Sequence, residues 1–101
     1  MTRYARKVDG NHGEIRDALR AIPGVRVLDT AAMSGLGCDL MVWYQDRPAL
    51  FVEVKAGPKA PLTDSERRLK VYCEASGAWV RAMTLEDVLG ALGISAERAP
   101  F

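Results

Sequence analysis

Asp39 and the triplet Glu53-Val54-Lys55 fall in two stretches that each read as a β-strand, and this pairing restricts the possible folds of the chain severely. Asp39 opens residues 39–44, and Glu53 and Lys55 close residues 49–55. Side chains alternate faces along a strand, so Glu53 and Lys55 emerge together, with Phe51 on their side and Leu50, Val52 and Val54 on the other. A strand apolar on both faces is usually central and buried. Charges at the end of such a strand require partners, because an unpaired buried charge is costly. Two carboxylates and an ammonium converging there are what a hard divalent cation and an activated water require.

The rest of the chain supplies the elements around that strand. Residues 11–22 read as an amphipathic helix, with Ile15, Ala18, Leu19 and Ile22 at helical spacing and Pro23-Gly24 as the stop. Residues 25–29 form a short strand, and 30–38 a loop containing Gly35 and Gly37. Residues 45–48 turn the chain into the Glu53 strand, and 56–61 form a second loop rich in Gly and Pro. Thr63-Asp64-Ser65-Glu66 is a capping box that starts a helix running to about residue 75. Residues 79–83 make a fourth strand. Thr84 caps a last helix, with Glu86 and Asp87 in its first turn and Leu85, Val88, Leu89 and Leu92 on one face. The expected order is α-β-β-β-α-β-α: an α/β fold in two or three layers, with a mixed central sheet flanked by helices.

Composition excludes several classes. The 101 residues are expected to form one domain, with its core over about residues 9–92 between a short basic N-terminal arm and a short C-terminal tail. No apolar run approaches the roughly 20 residues that a membrane-spanning helix needs. The basic N-terminus runs into polar residues rather than an apolar leader, so a cytoplasmic protein without a membrane partner is expected. Two cysteines, Cys38 and Cys73, and one histidine, His12, make neither a disulfide framework nor a zinc site.

The net charge of +1 conceals an uneven distribution. Residues 1–26 carry Arg3, Arg6, Lys7, Arg16, Arg20 and Arg26 against Asp9, Glu14 and Asp17. Residues 55–70 carry Lys55, Lys59, Arg67, Arg68 and Lys70 against Asp64 and Glu66. Such clusters suit phosphates, although charge alone fits solvated helix faces better.

Three pieces in order resemble the core of the PD-(D/E)xK restriction-endonuclease-like superfamily. They are Asn11-His12-Gly13-Glu14-Ile15 on the first helix, Gly37-Cys38-Asp39-Leu40-Met41-Val42, and Phe51-Val52-Glu53-Val54-Lys55, followed by Leu62-Thr63 opening the next helix. More closely, the chain is similar to small VRR-NUC-type nucleases and phage Holliday-junction-resolvase-like proteins. The proline that often precedes the motif aspartate is Cys38 here, and the position where the family tends to carry a glutamine holds Glu66 and Arg67.

The resemblance implies a restriction-endonuclease-like αβββαβ core and a Mg²⁺-dependent, structure-selective DNA endonuclease. A phage-type Holliday-junction resolvase is its sharpest form, with Mn²⁺ expected to substitute for Mg²⁺. Asp39 and Glu53 are the expected ligands, with the Val54 carbonyl. Glu14, about 40° around the helix from Ala18, is expected to reach the same cation directly or through water. Lys55 is expected beside the attacking water, aiding its deprotonation and balancing charge in the transition state. Arg3, Arg6, Lys7, Lys59, Thr63, Arg67 and Arg68 are the candidate phosphate contacts.

His12 reads as exposed and incidental. Trp43, Tyr44, Tyr72, Trp79 and Phe101 exceed what one thin sheet needs, so an exposed apolar patch and a homodimer facing one DNA are expected. The rival is a catalytically silent module of the same fold that binds nucleic acid or assembles a complex. The complete Asp39, Glu53 and Lys55 set speaks against it.

Overall fold

The computed structural model describes residues 10–94 except 34 and 58. Three helices, α1 (His12–Arg20), α2 (Asp64–Cys73) and α3 (Leu85–Leu92), join four strands, β1 (Val25–Asp29), β2 (Leu40–Tyr44), β3 (Leu50–Val54) and β4 (Trp79–Ala82). The strands form one mixed sheet in the order β1-β2-β3-β4. The β1–β2 and β2–β3 pairs are antiparallel, whereas β3 and β4 are parallel. That difference follows from the connections. A short turn at residues 45–49 joins β2 to β3, but a whole helix, α2, separates β3 from β4 and carries the chain back to its starting end.

The period-2 patterning sorts the sheet into two faces. The register aligns Val27 with Val42, Leu40 with Val52, and Val52 with Val80. These residues share a face with Val25, Leu50, Val54 and Ala82. Ile15 and Leu19 of α1, Ile22 just beyond it, and Val88, Leu89 and Leu92 of α3 bury that face in one contiguous core. Each such side chain contributes about 1.5–3 kcal/mol on removal from water.

The opposite face carries Met41, Trp43, Phe51, Glu53, Trp79 and Arg81. Helix α2 lies on that side, with Lys70 Nζ 5.4 Å from the centre of the Trp79 ring. The helices therefore form two outer layers around the sheet, α1 and α3 on one side and α2 on the other. Thr63 and Thr84 cap α2 and α3 through complete capping boxes, as their spacing requires.

Helix α1 starts differently. Asn11 makes no side-chain cap; its Nδ2 instead donates to the carbonyls of Lys55 (3.3 Å) and Met83 (2.7 Å), fastening the helix start to the ends of β3 and β4. His12 is buried, contrary to its sequence reading, and its Nε2 lies 3.1 Å from Asp29 Oδ2. Arg16 donates to the same oxygen at 2.9 Å. Burial opposes the charge on Asp29, but hydrogen bonds from Arg16, His12 and the Ala31 amide outweigh it and hold the carboxyl at about 2.

Of the surplus aromatics, Trp43, Tyr44 and Trp79 are half-buried and Tyr72 is exposed; Phe101 lies outside the described residues. Cys38 and Cys73 are both buried and are not joined by a disulfide. Among the described residues, no helix is long and apolar enough to cross a membrane.

Candidate functional site

Where β2 begins and β3 ends, four ionisable side chains are buried together: Asp39, Glu53, Lys55 and Glu66. Asp39 stands immediately before β2. Its N–H donates to the Val52 carbonyl, and its Oδ2 accepts from the Val54 N–H, both at 2.9 Å. The aspartate side chain thus takes over the backbone pairing of β3 just as β2 gives out, which fixes its carboxylate beside Glu53. Val54, expected to contribute its carbonyl, contributes its amide to that contact.

Glu53 and Lys55 emerge on the α2 side by strand alternation. Lys55 Nζ lies 3.2 Å from Glu53 Oε2 and 3.0 Å from Glu66 Oε1. The same Glu66 oxygen accepts the Thr63 N–H at 2.8 Å. Glu66 therefore does two jobs at once. As the acidic member of the capping box it closes the start of α2, and as the partner of Lys55 it fixes the ammonium beside Glu53. At 2% exposure it has almost no water to replace either contact.

The loop before Asp39 is held close to α2 by Gly37, which adopts φ +100°. A Cβ at that position would lie 2.4 Å from the Ser65 carbonyl oxygen, so only glycine permits this approach. Arg81, aligned with Glu53 across β3 and β4, donates to the carbonyls of Gly57 and Ala60 and ties down the loop that follows Lys55.

The charges within the cluster do not balance. Burial pushes the Glu53 carboxyl up, and the neighbouring Glu66 and Asp39 carboxylates push it further, to about 9. Burial acts the same way on Glu66, but the Thr63 amide, the proton shared with Glu53 and the Lys55 ammonium reverse it and lower the Glu66 carboxyl. Burial opposes the ammonium of Lys55, yet its hydrogen bonds to Glu66 and Glu53 raise it overall. Glu53 consequently holds a proton at neutral pH while Glu66 stays ionised.

Among the described residues, no hydrogen bond reaches Glu53 Oε1, although that atom is shielded from water; a cation would satisfy it. Among the described residues, no group of three or more His, Cys, Asp or Glu is arranged to hold an ion. The protein oxygens on offer are those of Asp39 and Glu53. Such a pair suits Mg²⁺, which binds through one or two carboxylates and fills its octahedron with water and phosphate oxygens, and it does not suit the nitrogen- and sulfur-seeking Zn²⁺.

A pH dependence follows. A carboxyl raised in the folded state contributes stability that is fully present below its unfolded value of about 4.5 and is lost as pH rises through about 9. In EDTA, the melting temperature should therefore fall steadily between about pH 5 and pH 9. Magnesium should flatten that slope, because a cation on Glu53 requires the deprotonated form. Glu53→Gln should flatten it too. A melting temperature independent of pH in EDTA would contradict a protonated Glu53.

The other expected site residues are placed differently. Glu14 is exposed in a recess of about 360 Å³ lined by Asn11, Ile15, Ala18, Met83, Thr84, Leu85 and Glu86. Helix α1 packs on the sheet face opposite the Glu53 and Lys55 side chains, and among the described residues Glu14 makes no hydrogen bond or ion pair with them; Glu66 from α2 is the third acid of the cluster. Lys59, Thr63, Arg67 and Arg68 are exposed. Thr63 is occupied as a helix cap, and Arg67 is tied to Asp64 (2.6 Å) and to the Leu62 carbonyl (2.8 Å). Arg3, Arg6 and Lys7 lie outside the described residues. Sequence reasoning missed the buried His12–Asp29 contact and the clamp by Asn11. No local pattern announces either, since both join residues far apart in the chain. No protein-family model matches this chain, and comparison with curated proteins and with solved structures returns no match.

Proposed function

We propose that this chain is a divalent-cation-dependent endonuclease with a restriction-endonuclease-like core, hydrolysing phosphodiester bonds in DNA selected by shape. One observation carries the reading: Asp39, aimed by the Val54 amide, and Glu53 are buried together at the end of β3, with the Lys55 ammonium 3.2 Å from Glu53 Oε2. A Mg²⁺ held by Asp39 and Glu53, with Mn²⁺ as a substitute, would supply Lewis-acid polarisation of the scissile phosphate and a more acidic water. Lys55 donates hydrogen bonds toward the attacking water and the developing negative charge. Glu66 keeps the ammonium in place, and the Val54 amide keeps Asp39 aimed.

Exposed Lys59 and Arg68 supply positive charge beside the cluster for the phosphate backbone. A homodimer would place two such sites on one branched or duplex DNA, as paired incision in a four-way junction demands. The same fold could also serve as a silent nucleic-acid-binding module. The two readings separate in a gel assay on linear, flapped and four-way DNA, with Mg²⁺, Mn²⁺ or EDTA. Cleavage in either metal and none in EDTA is the expected result; binding without cleavage in any metal would replace the nuclease with the silent module.

A further inference from the structure

A recess between α2 and the loop before Asp39 gives Arg68 a more specific setting than the general phosphate contact proposed above. Ser65, Arg68, Leu69 and Tyr72 recur at helical spacing along one stripe of α2, next to the buried stripe that carries Glu66. With Gly35 and Leu36 of the loop leading to Asp39, they enclose about 290 Å³. The loop cannot move far from this position, because Gly37 sits hard against the Ser65 carbonyl. The recess is therefore built between the segments that deliver Asp39 and Glu66.

Its lining has a distinctive chemistry. Tyr72 is 76% exposed, a large ring left in solvent beside half-buried Leu36 and Leu69. Arg68 is exposed and, among the described residues, has no hydrogen bond or ion pair. Its neighbours on α2 are engaged: Arg67 holds Asp64, and Lys70 lies over Trp79. Arg68 is the guanidinium left for an external anion.

A stacking ring, an apolar floor and an uncommitted guanidinium match a nucleotide, whose base needs a π-face and whose phosphate needs a cation. A base inside an intact duplex is already stacked on both sides and paired, so only an unpaired base can use Tyr72. We propose that this recess takes one unpaired nucleotide of the substrate strand, with Tyr72 stacking its base and Arg68 meeting its phosphate. The inference rests on the nuclease reading and narrows it: the strand entering the cluster is single-stranded or frayed next to the scissile bond.

The test is fluorescence anisotropy in EDTA with a short fluorescein-labelled single-stranded oligodeoxynucleotide and with its blunt duplex. The wild-type chain should bind the single strand more tightly. Tyr72→Ala should weaken that binding roughly tenfold, within the range for loss of one base–aromatic stack, while Tyr72→Phe retains it. Arg68→Ala should weaken binding and reduce its salt dependence. Tyr72 is so exposed that its loss leaves the fold intact, which circular dichroism verifies. Equal binding by Tyr72→Ala and wild type would overturn the proposal. So would a Tyr72→Ala variant whose only change is a smaller mass by light scattering, which would make the patch an interface between copies. Cleavage of the same oligonucleotide by wild type in Mg²⁺ is read separately. Tyr72-dependent binding without cleavage would leave the nucleotide recess standing and remove the nuclease.

Discussion

Asp39→Asn and Glu53→Gln should each abolish DNA cleavage while the protein stays folded and still binds DNA. Both substitutions keep the shape of the side chain and remove only its capacity for negative charge. The expected loss is on the order of a thousandfold or more, the scale seen when a group acting on developing charge is removed. Binding should survive because neither substitution adds negative charge against the phosphates, and Asp39→Asn removes one. The two variants should differ in stability. Glu53 already carries a proton in the metal-free protein, since its carboxyl is raised to about 9, so glutamine replaces a neutral group with a neutral group. Asp39 accepts the Val54 amide hydrogen, and an asparagine in its place can keep that bond only through its amide oxygen. Glu53→Gln should therefore be at least as stable as wild type in EDTA at pH 8. Full cleavage by either variant, measured on a labelled four-way junction in Mg²⁺, would remove the proposed mechanism.

How much of this was legible in the sequence depends on the range of the forces involved. The strand carrying Glu53 was readable because alternation along Leu50 to Val54 is a local, two-residue rule, and the structure gives the same face assignment. Helix α2 was readable from its capping box and α3 from the Thr84 cap with acids in its first turn, signals that lie within four residues. The mixed sheet followed from a short turn on one side of β3 and a helix on the other.

Glu14 marks where local rules stop. Its angle from the apolar stripe says that it sits on the shoulder of α1, but not which face of the sheet α1 will cover. That choice is made by Ile15, Leu19 and Ile22 meeting α3, a contact between segments about 70 residues apart. His12 was misread for a related reason. A histidine among polar residues looks exposed until Asp29, seventeen positions away, is brought against it. Glu66 was visible as a cap, but its second role needed the distance from α2 to the end of β3.

Lys55→Met should be the most destabilising substitution in the cluster. Removing the ammonium leaves Glu66 ionised at 2% exposure without its cationic partner, and it takes the adjacent positive charge away from Glu53. Breaking a buried ion pair from one side costs about 3–5 kcal/mol, because the remaining charge keeps its desolvation penalty and loses its compensation. A domain of this size holds only about 5–15 kcal/mol in total. The comparison should therefore be made by urea unfolding at low temperature, where the variant still folds. Lys55→Met with Glu66→Gln should recover much of the loss, since glutamine accepts the Thr63 amide without carrying a charge. Cleavage should not recover with it, because the proposed mechanism needs the ammonium at the attacking water and the scissile phosphate. Stability and activity thus separate in the double variant. If restoring the fold also restores cleavage, Lys55 is a structural counter-ion and the nuclease mechanism must dispense with it.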